Sequence, residues 1–230
     1  MKNWMTRFTS LRKWFILILT FILVQILVQL NIINDYLQAT IATIGINIIL
    51  AASLNLITGF TGQFSLGHAG FMSIGAYACA LTLMRTPTVW GFLAGLLLGA
   101  VLAALVGFLV GLPTLRLRGD YLAIATLGMS EIIRIIFTNL EITNGAAGLS
   151  GIPRFTNWAY LYFFMIGTIL LISNFLKSSH GRACISIRED EIAAEAMGIN
   201  ATKYKITAFT IGAFCAGIIF TTWILRPLDF

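Results

Sequence analysis

The chain has 230 residues, of which 58% are hydrophobic and 10% are charged, with a formal net charge of +6 at pH 7. Soluble domains carry about 25% charged residues, so this composition indicates an integral membrane protein and excludes a large water-exposed domain. The two histidines and the three scattered cysteines, Cys79, Cys184 and Cys215, have no spacing typical of a metal or redox site. We expect the cysteines to be small apolar packing groups, and we predict no metal, no cofactor and no catalytic residue.

Seven apolar segments approach the length of about 20 residues that a membrane-spanning helix needs. They are predicted at residues 14–30, 37–57, 64–84, 90–112, 121–137, 158–176 and 206–225. Segment 64–84 is rich in glycine, and segment 121–137 is short and contains Glu131 and Arg134, so either could be a broken or re-entrant helix. The pattern predicts an all-α fold, a polytopic transmembrane helical bundle.

The basic residues alternate between the two sides of the predicted bundle. With the N-terminus in the cytoplasm, eleven of the fifteen fall in cytoplasmic segments, three fall outside and one lies in a span. An excess of Lys and Arg is typical of cytoplasmic loops. The basic residues then face the anionic membrane lipid of the cytoplasmic leaflet, so the positive net charge does not require a nucleic-acid partner. The predicted organisation is a basic cytoplasmic N-terminus (1–13), a single transmembrane domain (14–225) with a cytoplasmic loop (177–205), and a short tail (226–230). The cytoplasmic residues are Lys2, Arg7, Arg12, Lys13, Arg116, Arg118, Lys177, Arg182, Arg188, Lys203 and Lys205.

A glycine-rich stretch, residues 59–77, combines five glycines with polar side chains at membrane depth. Small residues allow close helix packing and can break a helix where it lines a cavity. Packing alone would explain the glycines, whereas the polar groups favour a translocation path because such groups need partners in a membrane. A lone histidine is more typical of a hydrogen-bonded structural residue than of a proton relay. The candidates for the path are Gly59, Gly62, Gln63, Ser65, Gly67 and His68.

Two further candidates for the path are Glu131 and Arg134. They stand three residues apart, so on a helix they share a face and can pair. An ionisable pair in a span indicates a bundle interior or a water-filled cavity. The alternative is that the helix ends near the membrane interface and the two charged side chains reach the interface.

The largest outside segment, residues 139–157, contains several glycines and Pro153. Its composition excludes a long helix and predicts a tight-turned loop. Such a loop could meet an external binding protein or cap the path, or it could be an ordinary connection.

A charged, alanine-rich helix is predicted between the last two spans. Ser186 and Glu189 form a capping-box pattern that predicts its start, and Gly198 predicts its end. Its small residues could seat in the groove of a partner while neighbouring charges fix the register; the alternative is a solvated linker helix. The chain has no phosphate-binding loop of the Gly-x-x-x-x-Gly-Lys-Ser/Thr kind, so it cannot hydrolyse ATP by that route.

Four blocks of the sequence, in order, resemble the LivM-type permease subunits of branched-chain amino-acid ABC importers. The blocks are residues 61–71, 117–128 together with 131–134, 143–153, and 187–200, and the resemblance extends from about residue 50 to residue 217. It implies a transport subunit that is not itself an enzyme and that forms part of the path for leucine, isoleucine and valine across the bacterial inner membrane. The implied partners are a homologous second permease subunit, two cytoplasmic ATP-binding subunits and an extracytoplasmic amino-acid-binding protein.

The resemblance also implies that residues 191–198 are the family's coupling segment, which receives the movement of the ATPases. The candidates for ATPase coupling are Arg188, Glu189, Asp190, Glu191, Ala193, Ala194, Glu195 and Gly198.

Residues 218–230 depart from the family pattern, in which further spans usually follow. We therefore expect a C-terminally truncated permease. Three alternatives stay open: a permease for urea or short amides of the same family, a stand-alone channel or secondary carrier, and a truncated fragment that does not transport. The carrier hypothesis leaves the helix at residues 186–198 unexplained.

Overall fold

The computed structural model describes residues 17–30, 34–117, 119–152 and 158–218. These residues contain α-helices and no strand, which confirms the all-α prediction. A π-helical turn, Leu56–Phe60, extends α2, and two single-turn 3-10 helices, Glu141–Thr143 and Gly145–Ala147, follow α5. The α-helices are α1 (Leu17–Gln29), α2 (Asp35–Asn55), α3 (His68–Arg85), α4 (Val89–Thr114), α5 (Asp120–Asn139), α6 (Trp158–Lys177), α7 (Ser179–Glu189), α8 (Glu191–Ala196) and α9 (Ala201–Gly217).

Each predicted span coincides with a helix, but the helices are not equivalent. Among the described residues, α2 with its π-helical turn, α4, α5 and α6 are long and apolar enough to cross a membrane, and α1 is a shorter apolar helix. Over the same residues, helices α3 and α9 do not meet that criterion, and both bury several small residues. They lie in the middle of the bundle, where close packing matters more than lipid contact.

Three predicted boundaries need correction or lie partly outside the described residues. The span predicted at 64–84 is wrong over residues 64–67, which are not helical because the chain turns there before α3 begins at His68. The span predicted at 206–225 begins earlier, at Ala201, and its residues after 218 lie outside the described part, as do residues 14–16 of the first span. The segment at 121–137 lies within one unbroken helix, α5.

The core of the bundle is built from α3, α4 and α9, which approach one another backbone to backbone. A Cβ atom added to Gly75 of α3 would lie 2.2 Å from the carbonyl oxygen of Gly217 in α9, and one added to Gly99 of α4 would lie 2.7 Å from the carbonyl oxygen of Gly75. Small residues permit such close helix contacts in membranes. Phe71 and Phe209 pack edge to face beside this contact, with their ring centroids 5.4 Å apart.

The remaining long helices surround this core. Leu161 of α6 packs against Gly45 of α2, and Phe137 of α5 stacks on Tyr77 of α3 at a centroid distance of 4.5 Å. Much of the outer surface of α4, α5 and α6 is apolar and exposed, as expected for helices that meet lipid or another subunit. Cys79, Cys184 and Cys215 are buried and unpaired, in agreement with their predicted packing role.

The segment between α6 and α9 is a pair of short helices and not the single helix predicted from Ser186 to Gly198. Helix α7 begins earlier, where the Ser178 side chain accepts a hydrogen bond from the Gly181 amide, so the predicted capping box at Ser186 is wrong. Ser186 lies inside α7 and donates to the Ala183 carbonyl. Asp190 is extended and starts α8 by accepting hydrogen bonds from the amides of Ile192 and Ala193.

Candidate functional site

The break between α2 and α3 is the first candidate site. Helix α2 passes into the π-helical turn, and the chain then leaves helical geometry at Gly62, whose φ of 69° favours glycine. The Thr61 hydroxyl and the Gln63 amide both donate to the Ile57 carbonyl, at 2.5 and 3.2 Å. π-helical turns inside helices are frequent at functional sites. A break in a membrane helix is tolerated where its non-helical backbone is buried in protein or lines a cavity.

Polar side chains are concentrated in this break. His68 is hydrogen-bonded to the Ser53 hydroxyl, with 2.7 Å between Nε2 and Oγ. Three further polar groups are buried without a hydrogen-bond partner among the described residues: the side-chain amide of Gln63, the Ser65 hydroxyl and His68 Nδ1. Gln63 is only 3% exposed. Native proteins leave few buried polar groups unpaired because each costs free energy. The break is therefore a polar site within an otherwise apolar bundle.

Helix α5 holds the far end of the break through Thr126. The Leu66 amide donates to Thr126 Oγ1 at 3.1 Å, and a Cβ added to Gly67 would lie 2.5 Å from the Thr126 carbonyl oxygen. Glycine at position 67 therefore allows the chain to pass directly over the α5 backbone. Ser53 and Thr126 are functional candidates that the sequence analysis missed. Their only sequence signal is a hydroxyl in an apolar helix, which is too common to single them out.

Glu131 and Arg134 form the predicted ion pair on α5. Arg134 Nε lies 3.0 and 2.9 Å from the two Glu131 carboxylate oxygens, and a terminal guanidinium nitrogen of Arg134 also donates to Glu131. Both side chains are at least half exposed, in the C-terminal half of α5. Arg134 lines a cavity of about 250 Å³ between α3 and α5, together with Ser73, Tyr77 and Ser130. The cavity thus lies between α3 and the helix whose Thr126 holds the far end of the break, but the hydrogen bonds of the pair are internal to it.

The eight coupling candidates of the α7–α8 segment divide by the direction they face. Four point to their own chain: Arg188 to the Gly59 carbonyl, Asp190 to the start of α8, Glu191 to Lys205, and Ala194 into a small apolar cluster. Glu189 is exposed and pairs with Arg188. Ala193, Glu195 and Gly198 are exposed. Ala194 is buried and Glu191 is partly buried, whereas the other six candidates are exposed.

Two large apolar residues, Ile192 and Met197, complete the exposed surface of α8. Their exposed fractions are 75% and 83%, the latter the highest among the exposed large hydrophobic residues of the described chain. Gly198 ends the segment with a φ of 84°, as predicted for a helix-ending glycine. We call Ile192, Ala193, Glu195, Ala196 and Met197 the α8 surface. It is apolar at both ends and charged in the middle, and sequence analysis did not single out its two large residues.

The rest of the segment is anchored beneath the α8 surface. Lys205 of α9 lies 2.8 Å from the Glu191 carboxylate, and the buried Cys184 thiol of α7 lies 3.7 Å from the Tyr204 carbonyl oxygen. Burial raises the pKa of the Cys184 thiol to about 11, so this group is a packed thiol and not a reactive thiolate at neutral pH.

Residues 36–220 match the family described as branched-chain amino acid transport system / permease component. The high-affinity branched-chain amino acid transport system permease protein LivM of Salmonella typhimurium is 38% identical over 216 residues, and that of Escherichia coli is 37% identical over 216 residues. Both alignments cover 79% of this chain and 50% of the relative, so the chain spans about half the length of these two proteins.

A probable branched-chain amino acid transport permease protein LivM of Methanocaldococcus jannaschii is 26% identical over 234 residues, covering 82% of this chain and 68% of that protein. No solved structure matches the chain. The family match over most of the chain and the helices able to cross a membrane agree with a multi-pass membrane protein. The chain belongs to the permease component family of branched-chain amino acid transport systems.

Proposed function

We propose that this chain is a permease subunit of an ATP-driven importer and forms part of the path for branched-chain amino acids. The observation that carries the proposal is the α8 surface, which presents Ile192 and Met197 to solvent on a segment anchored from below by Lys205 and Arg188. Large exposed apolar side chains on a rigid support are typical of a docking surface. The names of the bacterial relatives support the substrate class.

The ATP-binding subunits are the proposed partners of the α8 surface, and ATP hydrolysis belongs to them. A homologous second permease and an extracytoplasmic amino-acid-binding protein complete the proposed assembly. In this arrangement the segment 177–205 lies in the cytoplasm and the N-terminus is cytoplasmic, in a bacterial inner membrane. The supporting observation is the excess of Lys and Arg in those segments.

The translocation path is proposed to run beside the break and α5. Gln63, Ser65 and His68 supply buried polar groups at the break. Arg134 supplies a charge at the cavity between α3 and α5, and Glu131 is its ion-pair partner. Intramembrane polar and ionisable groups are typical of substrate paths. ATP can drive import only if nucleotide and the loaded binding protein favour different conformations of the permease pair.

The test is leucine uptake by a strain that lacks its own permease and expresses this chain with its partner subunits. We expect uptake that depends on ATP and on the presence of the ATP-binding subunits. Urea uptake measured in parallel distinguishes the alternative substrate of the same family. Uptake without any ATP-binding subunit would contradict the proposal and support a channel or secondary carrier. ATPase binding without uptake of either compound would support a docking-competent fragment that does not transport.

A further inference from the structure

Arg188 connects the α7–α8 segment to the break between α2 and α3. Its Nη1 donates to the Gly59 carbonyl at 2.9 Å, across 129 positions of sequence. The aliphatic part of the same side chain covers Gly62, where an added Cβ would lie 3.1 Å from Arg188 Cγ. One side chain therefore touches both ends of the turn at which α2 gives way to the extended chain.

The Gly59 carbonyl is at a position where a charged donor is useful. The last carbonyls of a helix lack intrahelical donors, and the C-terminal end of a helix carries partial negative charge. The backbone N–H of Gln63 donates to the Ile57 carbonyl and not to that of Gly59. Arg188 supplies a donor and a positive charge at this end, from outside the helix.

The Arg188 side chain is itself held in a fixed direction. Glu189 accepts from Nε at 3.1 Å and also from Nη2, while Nη1 remains directed to Gly59. A planar guanidinium can satisfy both partners at once, whereas a lysine ammonium is a point donor. Two residues further on, Asp190 caps α8. A displacement of α8 would therefore be carried into the Arg188 side chain over a very short stretch of backbone.

The break in turn leads to the buried polar groups and to α5. Gly62 is followed directly by Gln63, whose side-chain amide has no hydrogen-bond partner among the described residues, and Gly67 lies against the Thr126 backbone. A π-helical turn is a discrete departure from α-helical hydrogen bonding, and elements with two discrete arrangements are what energetic coupling between sites requires.

We propose that Arg188 is a positioning residue that transmits displacement of the α8 surface to the break at residues 59–67. The inference rests on the proposed function, because it assigns the internal end of the movement that a docked ATPase would start. It also specifies the role of Arg188, which the sequence analysis placed among the candidates for ATPase coupling. Arg188 faces its own chain, and the partner contacts lie on α8.

The test compares Arg188→Ala and Arg188→Lys with Arg182→Ala. Arg182 is a matched control, since it is also an exposed arginine of α7, but its hydrogen bond goes to the nearby Lys177 carbonyl. In the chain reconstituted in lipid, amide hydrogen exchange at residues 57–67 should be roughly tenfold faster in Arg188→Ala, because a hydrogen bond from a charged group is lost. Arg188→Lys should lie between Arg188→Ala and the wild type, and Arg182→Ala should match the wild type.

The second measurement is the ATP hydrolysed per leucine imported by the reconstituted importer. Arg188→Ala should raise this ratio roughly tenfold, a typical size for a coupling between sites, while the ATPase remains bound. Partial rescue by Arg188→Lys would support a positioning role. A misfolded variant would instead lose both ATP hydrolysis and leucine import. Unchanged exchange, or faster exchange with an unchanged ratio, would overturn the inference. Failure of the wild-type chain to import leucine would instead overturn the proposed function, and this inference with it.

Discussion

The α3–α4–α9 core and the α7–α8 segment are stabilised in opposite ways. In the core, backbones meet through Gly75, Gly99 and Gly217, and a side chain added at any of the three would collide with a neighbouring helix. The α7–α8 segment is held by a small apolar cluster together with an Asp190 cap, an ion pair and the Arg188 hydrogen bond, polar contacts that each contribute little alone. The difference indicates a rigid bundle that carries a small element able to move as a unit.

The largest effect is expected in the core. Gly75→Val should destabilise the bundle by about 3 kcal/mol, because the new side chain would collide with the Gly217 backbone, which cannot rotate away. Gly167→Val on α6 is the matched control, since an added Cβ there meets nothing within 4 Å. The measurement is thermal unfolding of the purified variants in detergent. Equal stability of the two variants would contradict the close packing of α3 against α9.

The next effect is expected where α8 ends. Gly198→Ala should disfavour the present end of α8 by about 1–2 kcal/mol, because its φ of 84° is strained for a residue with a Cβ atom. Gly198→Pro cannot adopt this φ and should weaken ATPase binding further while leaving membrane insertion intact. Gly198→Asn, which tolerates left-handed backbone, is the control. Co-purification of the ATPase measures the effect, and wild-type recovery with the proline variant would count against this segment as the docking element.

A smaller effect is expected from a change confined to the α8 surface. Glu195→Arg reverses one exposed charge and should weaken ATPase association by about 1 kcal/mol, the scale of a single exposed ionic contact. Insertion and the folding of the core should not change, because the side chain lies outside the bundle. Glu141→Arg, an equally simple reversal at an exposed position after α5, serves as the control. Association constants should be measured at two salt concentrations, and equal loss in both variants would indicate a general charge effect.

An effect of similar size is expected beneath α8. Lys205→Met removes the partner of Glu191 at the base of the segment, and should cost about 1 kcal/mol because the Glu191 carboxylate, whose side chain is 27% exposed, loses its charged donor. Hydrogen exchange of the α8 amides is the suitable measurement, since global unfolding would not resolve so small a change. Lys203→Met changes an exposed lysine two residues earlier, which has no ion-pair partner among the described residues, and should leave that exchange unaltered. A loss of the whole fold in Lys205→Met would show that the segment and the core are not separable.

The sequence predicts the long elements of this protein well because hydrophobicity alone defines them. Segments such as 90–112 and 158–176 each fall within one helix, α4 and α6. The glycines near residue 64 indicated a possible break, which the chain has at residues 62–67. Gly198 was identifiable as a helix end because few other residues adopt its φ.

The polar segment and the site were harder to predict, for two physical reasons. First, Ser178, Ser186 and Asp190 are all good helix-starting residues, and local pattern cannot rank them once the helix from Ser178 continues through Ser186. Second, the contacts from Arg188 to Gly59 and from Thr126 to Leu66 join residues far apart in the chain. Such contacts depend on tertiary packing, which spacing within a segment does not encode.

The most direct test of the account is site-specific photo-crosslinking from α8 in the assembled importer. A photoreactive side chain is placed in turn at Ile192, at Met197 and at Glu141, where Glu141 reports on an exposed site outside the α7–α8 segment. We expect crosslinks to the ATP-binding subunit from positions 192 and 197 and none from position 141. Absence of crosslinks from both α8 positions in an importer that retains its ATPase would contradict the docking role of the α8 surface.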